Sequence, residues 1–245
     1  MKITGIIPAR IASTRLPEKP LKKLGDKTIV EWVYLNSSKS QLLNELVVAT
    51  DSEIICEHVK SFGGKAILTS DKHTNGTERV GEAAQILKCD VAVNIQGDEP
   101  FMRADMIDKA VEPFLNGFKG ISTLKTKIVK EDDLKNPAIC KVITDSENNA
   151  IYFSRLPIPY VRDNDIKPVY YKHIGLYAYD VETLDKMVKM PEVEIETAEK
   201  LEQLRALYNG IKIRLGETDY RGVEINTPED LIIAAKLLDF LKNQA

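Results

Sequence analysis

The sequence predicts an α/β fold with a parallel sheet covered by helices on both faces, and three observations predict it. Short runs rich in Ile, Val and Ala alternate with amphipathic runs over residues 1–100. Leu46-Val47-Val48-Ala49 and Val91-Ala92-Val93-Asn94-Ile95 are continuous apolar runs, as strands buried on both faces are. Capping residues stand where the amphipathic runs begin. The 245 residues suit one large α/β domain, or a domain with a smaller subdomain, and can bury a sizeable core.

Ile3–Ile7 is the first expected strand. Thr28–Ser40 is the first helix: Thr28 and Glu31 have capping-box spacing, and Ile29, Trp32, Val33 and Asn36 share a face. Leu46–Ala49 follows as a strand. Thr50 and Glu53 have the same box spacing and open a second helix, which stops at Gly63-Gly64. Ala66–Leu68 is a strand, Thr77–Leu87 a helix and Val91–Ile95 a strand, giving β-α-β-α-β-α-β. Beyond it, Arg103–Phe118 reads as a helix and Ile121–Lys127 as a strand. Lys141–Thr144, Ala150–Phe153 and Tyr170–Tyr179 read as strands, joined by the turn Asp145–Asn149 and the Pro-rich loop Pro157–Pro168. Thr197–Tyr208 reads as one helix ending at Gly210, and Thr227-Pro228-Glu229-Asp230 as a strong helix start.

The net charge of −3 argues against a bulk nucleic-acid binder or a polybasic membrane protein. No apolar run approaches the ~20 residues of a membrane span. The opening Met1–Ile7, closed by Pro8, is too short for a signal-peptide core. Cys56, Cys89 and Cys140 lie far apart without CxxC spacing, so neither a disulfide framework nor a zinc site is expected, and the cytoplasm is.

Positive charge is concentrated at the front. Residues 1–27 hold seven Lys or Arg against two Asp or Glu, net +5, so the remainder carries −8. After the first strand comes Pro8-Ala9-Arg10-Ile11-Ala12-Ser13-Thr14-Arg15-Leu16-Pro17-Glu18-Lys19-Pro20-Leu21. Open α/β sheets bind ligands at the carboxyl ends of their strands. Arg10, Arg15 and Lys19 can give charge-assisted bonds to a polyphosphate, and small Ala12, Ser13 and Thr14 let the backbone come close. From charge alone, a solvated basic loop is an equal reading. The loop lacks the glycines of both G-x-G-x-x-G and Walker A, which argues against a dinucleotide dehydrogenase or a P-loop ATPase. A second segment, Asn94-Ile95-Gln96-Gly97-Asp98-Glu99-Pro100, ends a buried strand. Asp98 there suits a Mg²⁺ ligand beside phosphates, against the plainer reading of an ordinary Gly-Asp turn. With a phosphate-type loop on the same sheet edge, the metal reading is the better one.

The N-terminal segment resembles the signature of sugar nucleotidyltransferases, and more narrowly that of the CMP-Kdo synthetase (3-deoxy-manno-octulosonate cytidylyltransferase) family. Further matches run in order along nearly the whole chain. They include Ala49-Thr50-Asp51, Asn75-Gly76-Thr77-Glu78-Arg79, Gln96-Gly97-Asp98-Glu99-Pro100 and Thr227-Pro228-Glu229-Asp230-Leu231. Tyr152-Phe153-Ser154-Arg155, Lys172-His173-Ile174-Gly175 and Leu201-Glu202-Gln203-Leu204-Arg205 are similar to the Kdo branch.

The resemblance implies one domain, 1–245, with a three-layer, Rossmann-like nucleotidyltransferase fold. Its sheet is mixed and mostly parallel, and a β-rich arm at about 150–179 helps form a homodimer. Tyr152, Phe153, Tyr160, Tyr170 and Tyr171 would suit burial in that partner. The implied reaction is CTP + Kdo → CMP-Kdo + diphosphate with Mg²⁺, serving lipopolysaccharide or capsule biosynthesis. Arg10, Arg15 and Lys19 would hold the triphosphate and the leaving diphosphate, and Asp98 the metal. Ala9, Thr77, Arg79 and Gln96 would surround base and ribose, with Ser13 a further substrate-binding residue. Arg155, His173, Tyr177, Glu202 and Gln203 offer the cation, donors and acceptors that a polyhydroxylated sugar acid needs. Singly, Arg155 and Arg205 also read as surface ion-pair partners, His173 as a satisfied core histidine and Glu202 as a solvated helix residue.

One departure stands out. The family pattern has Val-Asp before Thr-Pro-Glu-Asp, its Asp being a second metal ligand, where this chain has Glu224-Ile225-Asn226. Asn226 offers a neutral amide oxygen, and Glu224 compensates if the chain bends. Val223-Glu224 is also similar to a branch that activates 8-amino-3,8-dideoxy-octulosonate, which stands as an alternative substrate. A nicotinamide-dependent enzyme and a non-catalytic sugar-nucleotide binding protein are the competing classes. The missing glycine fingerprint opposes the first, and the presence of Arg10, Arg15, Lys19 and Asp98 opposes the second.

Overall fold

The structure, a computed structural model, describes residues 1–12, 15–163, 166–220 and 222–243. In chain order the strands are β1 Ile3–Ala9, β2 Lys23–Leu24, β3 Lys27–Thr28, β4 Glu45–Thr50, β5 Ala66–Leu68, β6 Val91–Asn94, β7 Ile121–Lys127, β8 Lys141–Thr144, β9 Ala150–Ser154, β10 Tyr171–Asp180 and β11 Ile213–Glu217. The helices are α1 Ile29–Ser37, α2 Glu53–Ser61, α3 Gly76–Leu87, α4 Ala104–Leu115, α5 Glu131–Lys135, α6 Val181–Lys189, α7 Glu194–Glu199, α8 Gln203–Tyr208 and α9 Pro228–Lys242, with a 3-10 turn at Lys19–Leu21. The chain packs as two compact units, Met1–Asp108 with Arg221–Ala245, and Lys109–Tyr220.

In the first unit β1 is parallel to β4 on one side and to β6 on the other, and β5 is parallel to β4. β4 and β6 are buried almost throughout, which accounts for their unbroken apolar runs. Pro8 sits in β1 beyond Ile6, the last residue paired with β6, so its missing N–H breaks no bond to that strand. Gly97 is fixed by close approach, since a Cβ there would lie 2.7 Å from the Pro8 carbonyl oxygen. A second core forms from Leu16, Leu24, Ile29, Ile225, Ala234 and Leu238, with Trp32 packed against it. It clamps α9 and the segment before it onto the N-terminal loop. The Trp32 indole N–H donates to the Leu24 carbonyl at 2.8 Å, and the Ile225 N–H to the Asp98 carbonyl at 2.9 Å.

In the second unit β7 is parallel to β11 and antiparallel to β10, while β8 pairs antiparallel with β10 and β9. Asp180 caps α6 by accepting from the Thr183 N–H, and its other oxygen accepts from the Gly120 N–H at 2.7 Å. Lys141 is fully buried, and its ammonium donates to the carbonyls of Asn136, Ile139 and Arg155 at 2.7–2.9 Å.

Several expectations need correction. The second helix has Ser52, not Thr50, at its N-cap, without a side-chain cap bond. Thr50 instead closes β4, and its hydroxyl accepts from the Ser52 N–H. The helix expected over Thr197–Tyr208 is two helices, α7 and α8, because Lys200 turns left-handed at φ 52°. Phe153 is fully buried, so it belongs to the interior of this chain rather than to an exposed aromatic set. Arg205 is likewise interior, paired with Glu196, and not a surface ion-pair partner. Strand β11 and helices α5 and α6 fall where no element is expected from the sequence. No helix among the described residues is long and apolar enough to cross a membrane. Among them no group of three or more His, Cys, Asp or Glu is arranged to hold a metal.

Candidate active site

Parallel strands put their carboxyl ends on one edge, and in the first unit that edge carries a cavity of about 290 Å³. β1 delivers Ala9 and Arg10, the loop after β6 delivers Gln96 and Asp98, and the turn before α3 delivers His73 and Asn75. Arg15, Lys19, Glu224 and Asn226 complete the wall.

The charges are paired across the cavity. The Lys19 ammonium lies 2.6 Å from Asp98 Oδ2 and donates to Asn226 Oδ1 at 3.3 Å. Arg15 Nη2 donates to the same Asn226 oxygen at 3.2 Å. The amide nitrogen of Asn226 donates to Glu224 Oε1 at 2.6 Å. Asn226 therefore reads two cations with its oxygen and one carboxylate with its nitrogen. The backbone there is firmly placed: Thr227 and Asp230 form a reciprocal capping box, and Asp230 Oδ2 accepts from the Asn226 N–H at 3.0 Å. The Glu224 carboxyl is held above the usual carboxylate range by the protein packed round it and by the negative charge of Asp98.

Opposite, the N-terminus of α3 faces the cavity through Asn75 and Gly76, with the N–H donors and positive dipole end that suit an anion. Arg79 lines the wall but is 3% exposed, and its guanidinium is engaged. It donates to Asp51 Oδ2 at 2.9 Å and to Thr69 Oγ1 at 2.6 Å, binding the ends of β4 and β5 to α3. Thr77 is buried beneath the first turn of α3, and Gln96 donates to Asn94 Oδ1 at 3.4 Å. Ser13, expected as a substrate-binding residue, lies outside the described residues. His73 and Asn75 join the wall without being expected site residues; Asn75, an N-cap type two residues before Thr77, stands in the matched Asn75–Arg79 segment, and His73 lies just before it.

The second unit gathers the other expected residues. Tyr177 is the centre: its ring lies 5.2 Å from that of His173, and its hydroxyl is pushed well above the usual tyrosine range by burial and then by Tyr179, Cys140 and Glu202. Gln203 is buried with its amide 3.8 Å from Cys140 Sγ, a thiol that burial pushes up to about 12. The His173 ring stands edge-on to Phe153 at 5.1 Å, with Nε2 at 2.9 Å from Thr123 Oγ1, and burial pushes its pKa down to about 3. Arg155 differs from expectation in being heavily committed within the chain. Its guanidinium donates to the carbonyls of Glu199, Pro137 and Lys200 at 2.6, 2.9 and 3.2 Å, stitching the end of β9 to the α7–α8 junction.

The family model described as cytidylyltransferase matches residues 4–213. A 3-deoxy-manno-octulosonate cytidylyltransferase of Thermodesulfovibrio yellowstonii is 46% identical over 96% of this chain and 97% of its own length. One of Geobacter sulfurreducens is 44% identical over 99% and 100%. Among solved structures, a CMP:2-keto-3-deoxy-manno-octonic acid synthetase complexed with CTP matches with a TM-score of 0.94 at 36% identity, over 98% of this chain and 99% of that one.

Proposed function

The chain belongs to the cytidylyltransferase family, and from that premise we propose that it transfers a cytidylyl group from CTP to 3-deoxy-manno-octulosonate, releasing diphosphate. Its fold is the mixed, mostly parallel α/β architecture of nucleotidyltransferases expected from the sequence. The observation that carries the reading is the cavity in which Arg10, Arg15 and Lys19 face Asp98, Glu224 and Asn226.

In this reading the anomeric hydroxyl of the sugar acid attacks the α-phosphorus, the bond to the β-phosphate oxygen breaks, and diphosphate leaves in line. Phosphoryl chemistry of this kind asks for positioning and charge neutralisation. Arg10, Arg15 and Lys19 hold the triphosphate and take up the charge that develops on the leaving diphosphate. Ala9, Thr77, Arg79 and Gln96 surround base and ribose, Arg79 by fixing the wall through Asp51. Arg155, His173, Tyr177, Glu202 and Gln203 serve the sugar acid, Arg155 chiefly by fixing the α7–α8 junction.

The donor set fits Mg²⁺. Asp98, Glu224 and the Asn226 amide offer hard oxygens in one cavity, the donor type that Mg²⁺ prefers. Asp98 and Asn226 would hold the ion, with Glu224 supplying the charge that Asn226 lacks. When bound, the ion neutralises phosphate oxygens and lowers the cost of ionising the sugar hydroxyl. The whole chain, 1–245, acts as one nucleotidyltransferase domain in the cytoplasm, without nucleic-acid or membrane partners.

Diphosphate release from CTP with a panel of 2-keto sugar acids, with and without Mg²⁺, tests the function. Release with none of them overturns it, and preference for the 8-amino sugar acid changes the substrate. Asn226→Asp is expected to lower the Mg²⁺ concentration for half-maximal activity several-fold, for about 1 kcal/mol of added attraction. Arg15 and Lys19, both within 3.3 Å of the present oxygen, accommodate the new charge. An unchanged Mg²⁺ titration would remove Asn226 from the metal site. A homodimer is part of the same reading, supported by exposed Ile151, Leu156, Tyr160, Ile166 and Val169. Light scattering at micromolar concentration is expected to give twice the chain mass, and a monomer rejects the dimer.

A further inference from the structure

Thr123 lies in the middle of β7 with no solvent exposure. Opposite it β10 bulges, because the pairing of Leu124 with Ile174 is followed next by Ser122 with Ala178. The bulge turns two β10 carbonyls toward one hydroxyl. Thr123 Oγ1 lies 2.7 Å from the Leu176 carbonyl oxygen and 3.0 Å from that of Ile174. Its third neighbour is His173 Nε2 at 2.9 Å.

A threonine hydroxyl has one proton and two lone pairs. Both carbonyls can only accept, so that proton is directed to them. The 2.9 Å contact with His173 is then attractive only if Nε2 carries a hydrogen and donates it to Oγ1. Burial without a carboxylate partner keeps the ring neutral, so Nδ1 bears a lone pair. Phe153 and Tyr177 fix the ring plane from two sides. Among the described residues no protein group donates to Nδ1.

We propose that Thr123 is a positioning residue: it locks His173 in the Nε2–H tautomer, so that Nδ1 is presented as a bare acceptor for a hydroxyl of the sugar acid. This rests on the reading of His173 as a substrate residue. It adds which ring atom meets the substrate and which buried side chain decides that. The wrong tautomer would present a donor in place of an acceptor, and the hydroxyl partner would have to reverse its own bond.

The test is the ¹⁵N spectrum of the three imidazoles in the full-length protein, with His173 assigned by its loss in His173→Gln. The wild-type protein is expected to show a protonated nitrogen at Nε2 and a bare one at Nδ1. An Nδ1–H tautomer or an imidazolium at neutral pH overturns the proposal, whatever the variants do. Thr123→Val keeps the shape and removes the acceptor. It is expected to mix the tautomers and raise KM for the sugar acid about tenfold, as misdirecting one hydrogen bond does, with KM for CTP unchanged. Thr123→Ser is expected to restore both readouts. An unchanged spectrum and sugar-acid KM in Thr123→Val reject the positioning role, as does an equal rise in both KM values, which would mark a structural effect. Absence of any turnover with CTP and sugar acids sinks the functional reading instead, and the tautomer is still decided by the spectrum.

Discussion

Lys19→Ala is expected to lower kcat for diphosphate release by about a hundredfold, equivalent to about 3 kcal/mol of lost transition-state stabilisation. Lys19 sits on a short turn where it meets both an acid, Asp98, and an amide, Asn226. In the proposed reaction its ammonium would take up the charge that develops on the leaving diphosphate. The same substitution is expected to cost less in folding than in catalysis, because the pair lines an open cavity where water can reach the Asp98 carboxylate left behind. The comparison of kcat with the thermal midpoint separates the two effects. Arg15→Ala is expected to follow the same direction, since Arg15 reaches the same Asn226 oxygen. Near-normal turnover in Lys19→Ala removes the phosphate role.

Arg205→Ala is expected to show the opposite division, with a large loss of stability. Arg205 and Glu196 are buried and joined by two bonds, Nε to Oε2 at 2.8 Å and Nη2 to Oε1 at 2.6 Å. A further guanidinium nitrogen donates to the Met190 carbonyl at 2.9 Å. Removing the arginine strands a carboxylate in the interior, at a typical cost of about 3–5 kcal/mol. For a chain of this size that lowers the thermal midpoint by roughly 10 °C. Replacing both partners, as in Glu196→Leu with Arg205→Met, is expected to lose much less, because no uncompensated charge remains. If the single variant melts within a degree or two of the wild type, the pair does not hold α7 against α8.

Arg205 stands in the segment Leu201-Glu202-Gln203-Leu204-Arg205, which resembles the Kdo branch of the family. Its neighbours Glu202 and Gln203 are residues proposed to meet the sugar acid, while Arg205 ties α8 to Glu196 of α7. The break at Lys200 belongs to the same arrangement. It lets Arg155 reach the carbonyls of Glu199 and Lys200, which an uninterrupted helix would have turned along its own axis.

What the sequence determined by itself is the part written in local periodicity and in contiguous motifs. Continuous apolar runs place β4 and β6 in a sheet buried on both faces, and the residue types at Thr28 and Thr227 start their helices. The basic loop after β1 and the Gln96-Gly97-Asp98 turn after β6 are legible because each is a single stretch at a strand's carboxyl end. The short alternation in Ile213–Glu217 is too brief to announce β11, and the break at Lys200 leaves the helical pattern on either side intact.

The tertiary structure decided which distant groups meet and how their protons and charges are shared. Asn226 reaches Lys19 and Arg15 because Leu16, Ile225 and Leu238 pack into one core, a burial of apolar surface that periodicity cannot assign to partners. Arg79 is committed to Asp51 because a buried guanidinium must find acceptors wherever the fold supplies them, and half-buried Arg155 bonds to three carbonyls that the fold brings within its reach. The tautomer of His173 depends on a bulge that turns two carbonyls of β10 to Thr123, fifty residues earlier in the chain. Periodicity is a property of neighbours along the backbone, whereas hydrogen-bond satisfaction in a water-poor interior is set by whatever the packing brings within about 3 Å.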